Sequence, residues 1–437
     1  MTQHNTGPYI EPKERLGTTE VPEVVLVSPE THVEEPREWD GLARAIVEGD
    51  PRLSGAPFAV LGGAGTGKSS LLLDTLVNFL ANGGEADQVM FIAPSKEAAS
   101  ALNKQLLDRL AEFEDFAALR SPIKAVHSWA FSAFRSLLLN QEEPAPRLLT
   151  GAEHDADIRL LLAGDAEDGK GSWPDNVRAA LPFVGFARQL RDLLLRAEER
   201  GVGPKELKKL GQRYNRGMWV GAGDFMGQFR HSRKLAQSVD VNVSELMHRT
   251  LEELDKDSAA GENSKVQQWQ RNIRLVLVDD AHNLDPAAAQ FIERFFSADT
   301  RVVIAGDPDQ CVFHFRGADE AFLERYSADE DRRVVLSQSR RFGGVRSAAI
   351  NELTSLLPPL QTRIPLREAE LGEPNAGEPI KVLRAKSSTA ERLHIANELR
   401  RAHVVDGVSW DDMAVIVRST SAIPPIRRAL LTHGVPV

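Results

Sequence analysis

The sequence predicts an α/β protein built around a parallel sheet, and three observations predict it. Short, continuously apolar runs recur along the chain, most are separated by helical patterns, and the first runs straight into a glycine-rich loop. Strands buried on both faces read as unbroken Val, Ile and Leu runs, the mark of a sheet covered by helices on each side.

The first strand candidate is FAVL, Phe58 to Leu61. It enters GGAGTGKSS, Gly62 to Ser70, and Leu72, Leu73, Leu76, Phe79 and Leu80 then follow helical spacing. Further strand candidates are VMFIA (89–93), IKAV (123–126), LVLVD (275–279), VVIAGD (302–307) and VVL (334–336). Between Val126 and Leu275 the strand pattern gives way for almost 150 residues to helical stretches such as FVGFARQLRDLLLRAEERG. A single crossover needs far less chain, so an inserted helical subdomain is expected. Past Phe342 a helical run leads to the loop chemistry of LPPLQTRIP and LGEPNAGEP. The strand candidates IKVLRA (380–385) and MAVIVR (413–418), with a helix between them, then predict the start of a second α/β domain.

The chain has 437 residues, a formal net charge of −10 and one cysteine. Cys311 has no internal disulfide partner, and neither a signal-type apolar run nor a stretch long enough to cross a membrane is present, so a cytoplasmic location is expected. The net charge is unevenly spread. Residues 1–40 hold nine acidic and three basic residues with five prolines, the composition of a flexible acidic arm. Phe186 to Leu235 instead hold twelve Lys or Arg against five Asp or Glu, interleaved with Tyr214, Trp219, Phe225 and Phe229. Such a stretch is either a nucleic-acid grip, charge for the backbone and rings for the bases, or a helical surface with its aromatics in the core.

Gly62-x4-Gly67-Lys68-Ser69 has the phosphate-loop pattern. Glycines let backbone N–H groups wrap phosphates, Lys68 reaches the β and γ groups, and the Ser69 hydroxyl holds Mg²⁺. Gly62, Gly63, Ala64, Gly65, Thr66, Gly67, Lys68, Ser69 and Ser70 are the expected ATP-binding residues. In LVLVDDAHNLDP an apolar strand ends on two carboxylates; Asp279 is expected to bind the metal and Asp280 to position the attacking water. Without the loop, the same pair would read equally well as a helix N-cap. AGDPDQCVFHFRGADEAF supplies a third strand end, with Gln310 to sense a γ-phosphate and Phe313, Phe315 and Arg316 nearby for stacking and charge.

Together and in this order, these segments resemble the motifs of superfamily 1 helicases of the UvrD/Rep/PcrA branch, and GDPDQCVFHFRGA is close to that family's third motif. FIAPSKEAASALNKQL is similar to motif Ia, AVHSWAFSAFR to motif Ib with His127, and LSQSRRFGG to motif IV with Arg341. The resemblance runs over residues 38–437. It implies a RecA-like P-loop NTPase fold with residues 1–36 as the acidic arm, 37–129 and 271–325 as the first motor domain (1A), 130–270 as the helical insertion (1B), and 326–437 as part of the second RecA-like domain (2A). It also implies ATP and Mg²⁺ as ligands, with Asp280, Gln310 and Arg341 acting on the nucleotide and His127, Phe315 and Arg316 on single-stranded DNA.

Three departures stand out. The family's D-E-x-Q is Asp279-Asp280-Ala281-His282 here, Pro94 replaces the stacking Phe of motif Ia, and no adenine-reading glutamine precedes the loop, where Trp39 stands. A shorter carboxylate at the water-positioning place would slow hydrolysis. Within the family, VLGGAGTGKSS, VDDAHNLDP and FARQLRDLLLRAEERGVGP are most similar to AdnA-type subunits of the actinobacterial AdnA–AdnB helicase–nucleases, which act at DNA ends beside a second motor subunit. The family's motifs V and VI are expected beyond residue 437.

The leading expectation is an ATP-driven DNA translocase. A non-catalytic, DNA-gripping nucleotide-binding subunit is the alternative, and a P-loop kinase leaves GDPDQCVFHFRGA unexplained. Cys311 reads as an ordinary small residue, His127 and His282 also fit as packed side chains, and no Cys/His spacing resembles a metal site.

Overall fold

The computed structural model describes residues 37–50, 55–110, 121–138, 147–149, 151–169, 171–235, 241–261, 264–314, 317–339, 341, 344–357 and 380–437. The acidic arm at 1–36 and the loop-forming sequence at 358–379 lie outside them. The described residues fall into two compact units, one within 37–62 and 67–336, the other within 63–66 and 337–437.

The first unit carries six strands: β1 (Phe58–Gly62), β2 (Val89–Ala93), β3 (Ile123–Ala125), β4 (Leu275–Val278), β5 (Arg301–Gly306) and β6 (Arg333–Leu336). They form one sheet in the order β3-β2-β4-β5-β1-β6, and every pairing is parallel. All six apolar runs expected from Phe58 to Leu336 are strands, and the fold class is α/β. Its helices are α1 (Gly41–Glu48), α2 (Lys68–Ala81), α3 (Lys96–Leu110), α4 (Val126–Leu138), α5 (Gly151–Asp168), α6 (Asp175–Arg178), α7 (Val184–Glu199), α8 (Pro204–Arg213), α9 (Gly217–Leu235), α10 (Val243–Ser258), α11 (Lys265–Asn272), α12 (Pro286–Glu293) and α13 (Ala321–Ser327).

The period-two alternation of a strand sends neighbouring side chains to opposite faces, and here both faces are dry. Phe58, Val60, Phe91, Leu277 and Val303 pack with Leu72, Leu73 and Leu76 of α2 and Leu102 and Leu106 of α3. Ala59, Leu61 and Ile304 point the other way and are equally buried, with α13 against β1 and β5. β6 hydrogen-bonds to β1 from Ala59↔Arg333 to Gly62↔Leu336. The first unit therefore runs to Leu336.

Between α4 and β4 the described residues form helices joined by turns and loops, and their only β pairing is one isolated bridge, Leu148↔Val241. This helical region has its own core around Trp173, Phe186, Leu190, Leu194, Phe225 and Phe229. Trp173 meets Phe186 edge-on at 5.5 Å and donates from Nε1 to Asp165 at 2.9 Å. α8 and α9 pack closely because Gly223 has no side chain: a Cβ there would stand 2.8 Å from the Pro204 carbonyl oxygen. Of the aromatic residues in the basic stretch, Phe225 and Phe229 are thus core residues rather than a stacking surface, while Tyr214 is exposed.

The second unit contains α14 (Gly344–Ser355), α15 (Ser388–Val404) and α16 (Ile423–Thr432). Ala396, Leu430 and Val435 form its small core, with Trp410 and Ile426 packed against it. The helix expected between the two strand candidates is α15. The strands themselves are absent: 380–385 and 413–418 form no ladder among the described residues, and Val382 and Ile416 are 84% and 95% exposed. An apolar, β-prone run becomes a strand only beside a partner that takes its N–H and C=O groups, and neither run has one among the described residues.

Candidate nucleotide site

β1 delivers the chain to the glycine loop and α2 carries it away, the strand–loop–helix setting that the phosphate-loop pattern requires. Gly65 and Gly67 have φ of 77° and 100°, a left-handed backbone that side-chain-bearing residues adopt at a cost. Gly67 is the N-cap of α2, and no side chain caps that end. The first N–H groups of α2 and its dipole therefore suit an anion. Lys68 is buried, and its Nζ donates to the Gly62 carbonyl at 2.8 Å; Thr66 Oγ1 donates to the Gly63 carbonyl at 3.0 Å.

The carboxyl ends of β4 and β5 complete the site. Asp279 is 3% exposed. Burial, and then the negative charge of Asp280, pushes its carboxyl up to about 7, against the pull of the Ser69 hydroxyl, which donates to it, and of Lys68. A hydroxyl and a carboxylate already in contact are the hard oxygen donors that Mg²⁺ takes, so the residues fit the expected metal at Ser69 and Asp279. Asp280 follows with φ 48° and ψ 47°, left-handed and not glycine. Such strain concentrates at functional sites, and here it turns the second carboxylate out of line with β4.

His282 lies beneath this turn, 2% exposed. Its Nδ1 accepts the Asp307 N–H at 3.1 Å, and its Nε2 is 3.2 Å from the side-chain amide of Asn283. Burial lowers its pKa, consistent with a neutral ring that accepts at Nδ1. The residue standing where the family has glutamine thus ties the exit of β4 to the exit of β5. Asp307 is itself buried, accepts the Gln310 side-chain amide at 2.6 Å and feels Lys68. Burial raises its pKa.

Sequence reasoning does not single out Asp307, although it ends an apolar strand just as Asp279 does. It passes over Arg37 too. A Cβ on Gly67 would lie 2.6 Å from Arg37 Nη1 and 3.4 Å from Trp39 Cη2, so both side chains flank the start of α2. Trp39 is anchored by its Nε1 donating to Asp74 at 2.7 Å, and Asp74 also pairs with Arg109.

The remaining expected residues are placed as follows. His127 is half-buried in the first turn of α4, just past the carboxyl end of β3, with its pKa lowered by burial and opposed by Asp285. Arg341 is exposed in the second unit. Phe315 and Arg316 lie outside the described residues.

Residues 49–331 match the family described as the UvrD/REP helicase N-terminal domain. The chain belongs to the UvrD/Rep helicase family. Similarity to individual relatives is low. ATP-dependent DNA helicase UvrD1 of Mycobacterium tuberculosis is 23% identical over 403 residues, 87% of this chain and 47% of that protein. ATP-dependent DNA helicase Rep of Escherichia coli is 25% identical over 170 residues, 38% of this chain and 24% of Rep. The RecB subunit of the RecBCD enzyme of Mycolicibacterium smegmatis is 25% identical over 288 residues, 64% of this chain and 23% of RecB. The chain spans about half the length of UvrD1 and about a quarter of the other two. The family match covers the glycine loop, both strand-end carboxylates and the Gln310 turn of this UvrD/Rep-type domain. No described helix is long and apolar enough to cross a membrane.

Proposed function

We propose that this UvrD/Rep-family chain is the N-terminal part of an ATP-driven DNA helicase or translocase. The observation that carries the reading is the buried Asp279 carboxyl, hydrogen-bonded to Ser69 in the helix that the glycine loop opens. In this reading the α2 N-terminus and Lys68 bind the phosphates, and Ser69 and Asp279 hold Mg²⁺, which supplies charge neutralisation as the γ-phosphoryl group leaves. Asp280 orients the attacking water, and Gln310, held by Asp307, faces the γ-phosphate. By resemblance Arg341 adds a second contact to that phosphate, and His127, Phe315 and Arg316 meet single-stranded DNA. The first motor domain would comprise residues from 37, interrupted by the helical insertion at 130–270, and end after Leu336, where β6 closes its sheet. The rest would begin the second motor domain. Cytoplasmic action in double-strand break repair, within an AdnA-type helicase–nuclease, is the finer form of the proposal.

One observation favours a second reading. Asp280 is a short carboxylate on a strained turn, and His282 is committed to the Asp307 backbone, so this site would hold nucleotide without turnover while a partner motor hydrolyses ATP in its own site. Steady-state ATP hydrolysis with and without single-stranded DNA, with Lys68→Ala as the blank, separates the two. DNA-stimulated turnover that Lys68→Ala abolishes is expected. Nucleotide bound but not hydrolysed would select the second reading, and full nucleotide affinity in Lys68→Ala would sink both.

A further inference from the structure

The turn that follows Gln310 gathers three different ligand types outside the nucleotide site. Cys311 Sγ lies 3.7 Å from His314 Nδ1, and His314 Nδ1 lies 3.6 Å from Glu320 Oε2. One donor atom from each lies within 4.8 Å of the other two. Donors at roughly 2.3 Å (sulfur) and 2.0–2.2 Å (nitrogen or oxygen) around one tetrahedral zinc stand about 3.4–3.6 Å apart, so two of the three edges are nearly formed.

The backbone around these donors is held in place. Gly317 N–H donates to the His314 carbonyl at 3.0 Å, Ala318 N–H to Phe313 at 3.2 Å, and Asp319 N–H to Leu284 at 2.9 Å. Cys311 is buried with its Sγ 3.0 Å from the His282 carbonyl, whereas the His314 side chain is 59% exposed, which leaves an approach from solvent. Sequence reasoning finds no Cys/His metal spacing because one of the three donors is a glutamate nine positions beyond the cysteine, brought back only by the turn.

We propose that Cys311, His314 and Glu320 form a binding site for a thiophilic divalent cation of the zinc class, with solvent completing its coordination. A set of one sulfur, one nitrogen and one oxygen donor suits such an ion and not Mg²⁺ or Ca²⁺, which take oxygen. Burial and the neighbouring Glu320 and Asp319 carboxylates push the Cys311 thiol up to about 12. The same negative charge favours a dication, which on binding replaces the thiol proton and releases it to solvent. The bound ion would link Cys311 and His314 to Glu320, directly beside the His282 carbonyl. The inference stands independently of ATP hydrolysis.

The test uses the untagged full chain without nucleotide, titrated with ZnCl₂ alone by calorimetry and with Co²⁺ as an absorption probe. One zinc per chain is expected, with a thiolate-to-cobalt charge-transfer band. Cys311→Ser should remove the band, and Cys311→Ser and His314→Ala should each weaken zinc binding by roughly a hundredfold or more, since loss even of an outer partner costs 10–100-fold. His314→Ala changes an exposed side chain, so it keeps the test valid if Cys311→Ser fails to fold. Asp279→Asn should leave zinc affinity unchanged. Absence of zinc binding, wild-type affinity in His314→Ala, or loss of binding in Asp279→Asn would each overturn the proposal.

Discussion

The carboxyl end of the sheet and the helical region between α4 and β4 each contain a buried acid that titrates at about 7, Asp279 and Glu198. The causes match: burial first, then a neighbouring carboxylate, Asp280 in one case and Glu245 in the other. What differs is the company. Glu198 already faces Arg230 at 3.5 Å and the Asn242 amide at 3.5 Å, and the nearby Arg233 is taken by Glu245 at 2.5 Å. Asp279 faces a hydroxyl and an ammonium at the start of a helix that no side chain caps. A shifted acid is therefore not in itself a functional site. The shift gains meaning where the surrounding donors converge on something the protein does not itself supply.

The sharpest way to break this comparison is to neutralise each acid in turn. Asp279→Asn should cut Mg²⁺-dependent turnover by about a hundredfold or more, in line with the loss of one preorganised charge-stabilising group. Glu198→Gln should leave turnover unchanged. Parallel steady-state assays of the two variants decide the matter, and equal losses would mean that the helical region is part of the chemistry.

A smaller effect sharpens the same contrast through pH. Each acid is raised above its unfolded value, so its neutral form stabilises the fold. That contribution is complete below the ordinary carboxylate range near 4 and is lost as pH rises through about 7. In the nucleotide-free chain, Asp279→Asn and Glu198→Gln should both melt above wild type at pH 8, and the margin should shrink toward pH 5. Mg²⁺ with a nucleotide should erase the margin at Asp279 alone, because bound cation favours the ionised form there. Thermal melts across that range, with and without Mg²⁺–ADP, read this directly. A margin erased at both acids would mean that the two environments are coupled.

The same contrast explains what can be read from the sequence. β1 to β6 are legible because a strand dry on both faces must be continuously apolar, and the glycine loop is legible because phosphate binding leaves little freedom of residue type. Asp307 is obscured since a strand-end aspartate looks the same whether it caps, packs or holds Gln310. The direction in which Phe225 and Phe229 point is not legible: basic residues and rings at helical spacing suit a grip and a core equally well until the helix is docked. IKVLRA and MAVIVR carry the apolar pattern of strands, yet pattern records only a capacity for burial. A ladder needs a neighbour, and a sequence segment does not name one.

The smallest expected effect concerns the part of the basic stretch that the core does not absorb. Arg191 is paired with Asp155 at 2.8 Å and Lys208 with Asp224 at 2.7 Å, so charge reversal at either would disturb the fold before it disturbed binding. Lys205, Lys209, Arg213 and Arg216 are exposed instead, and Arg213 stands 5.5 Å from the centre of the exposed Tyr214 ring. If this end of the helical region touches a nucleic-acid backbone, Lys209→Glu with Arg213→Glu should lower single-strand affinity only modestly. The salt dependence carries the information: for every phosphate that the variant ceases to neutralise, the log–log slope should flatten by roughly 0.7 for a single strand. Equilibrium binding at four or more salt concentrations measures it. A flatter slope with unchanged melting temperature would assign the helical region a share of DNA binding beside the motor. Identical slopes would make these cations a solvated face, and the two regions would then differ in kind, with the sheet carrying the chemistry and the helices only their own core.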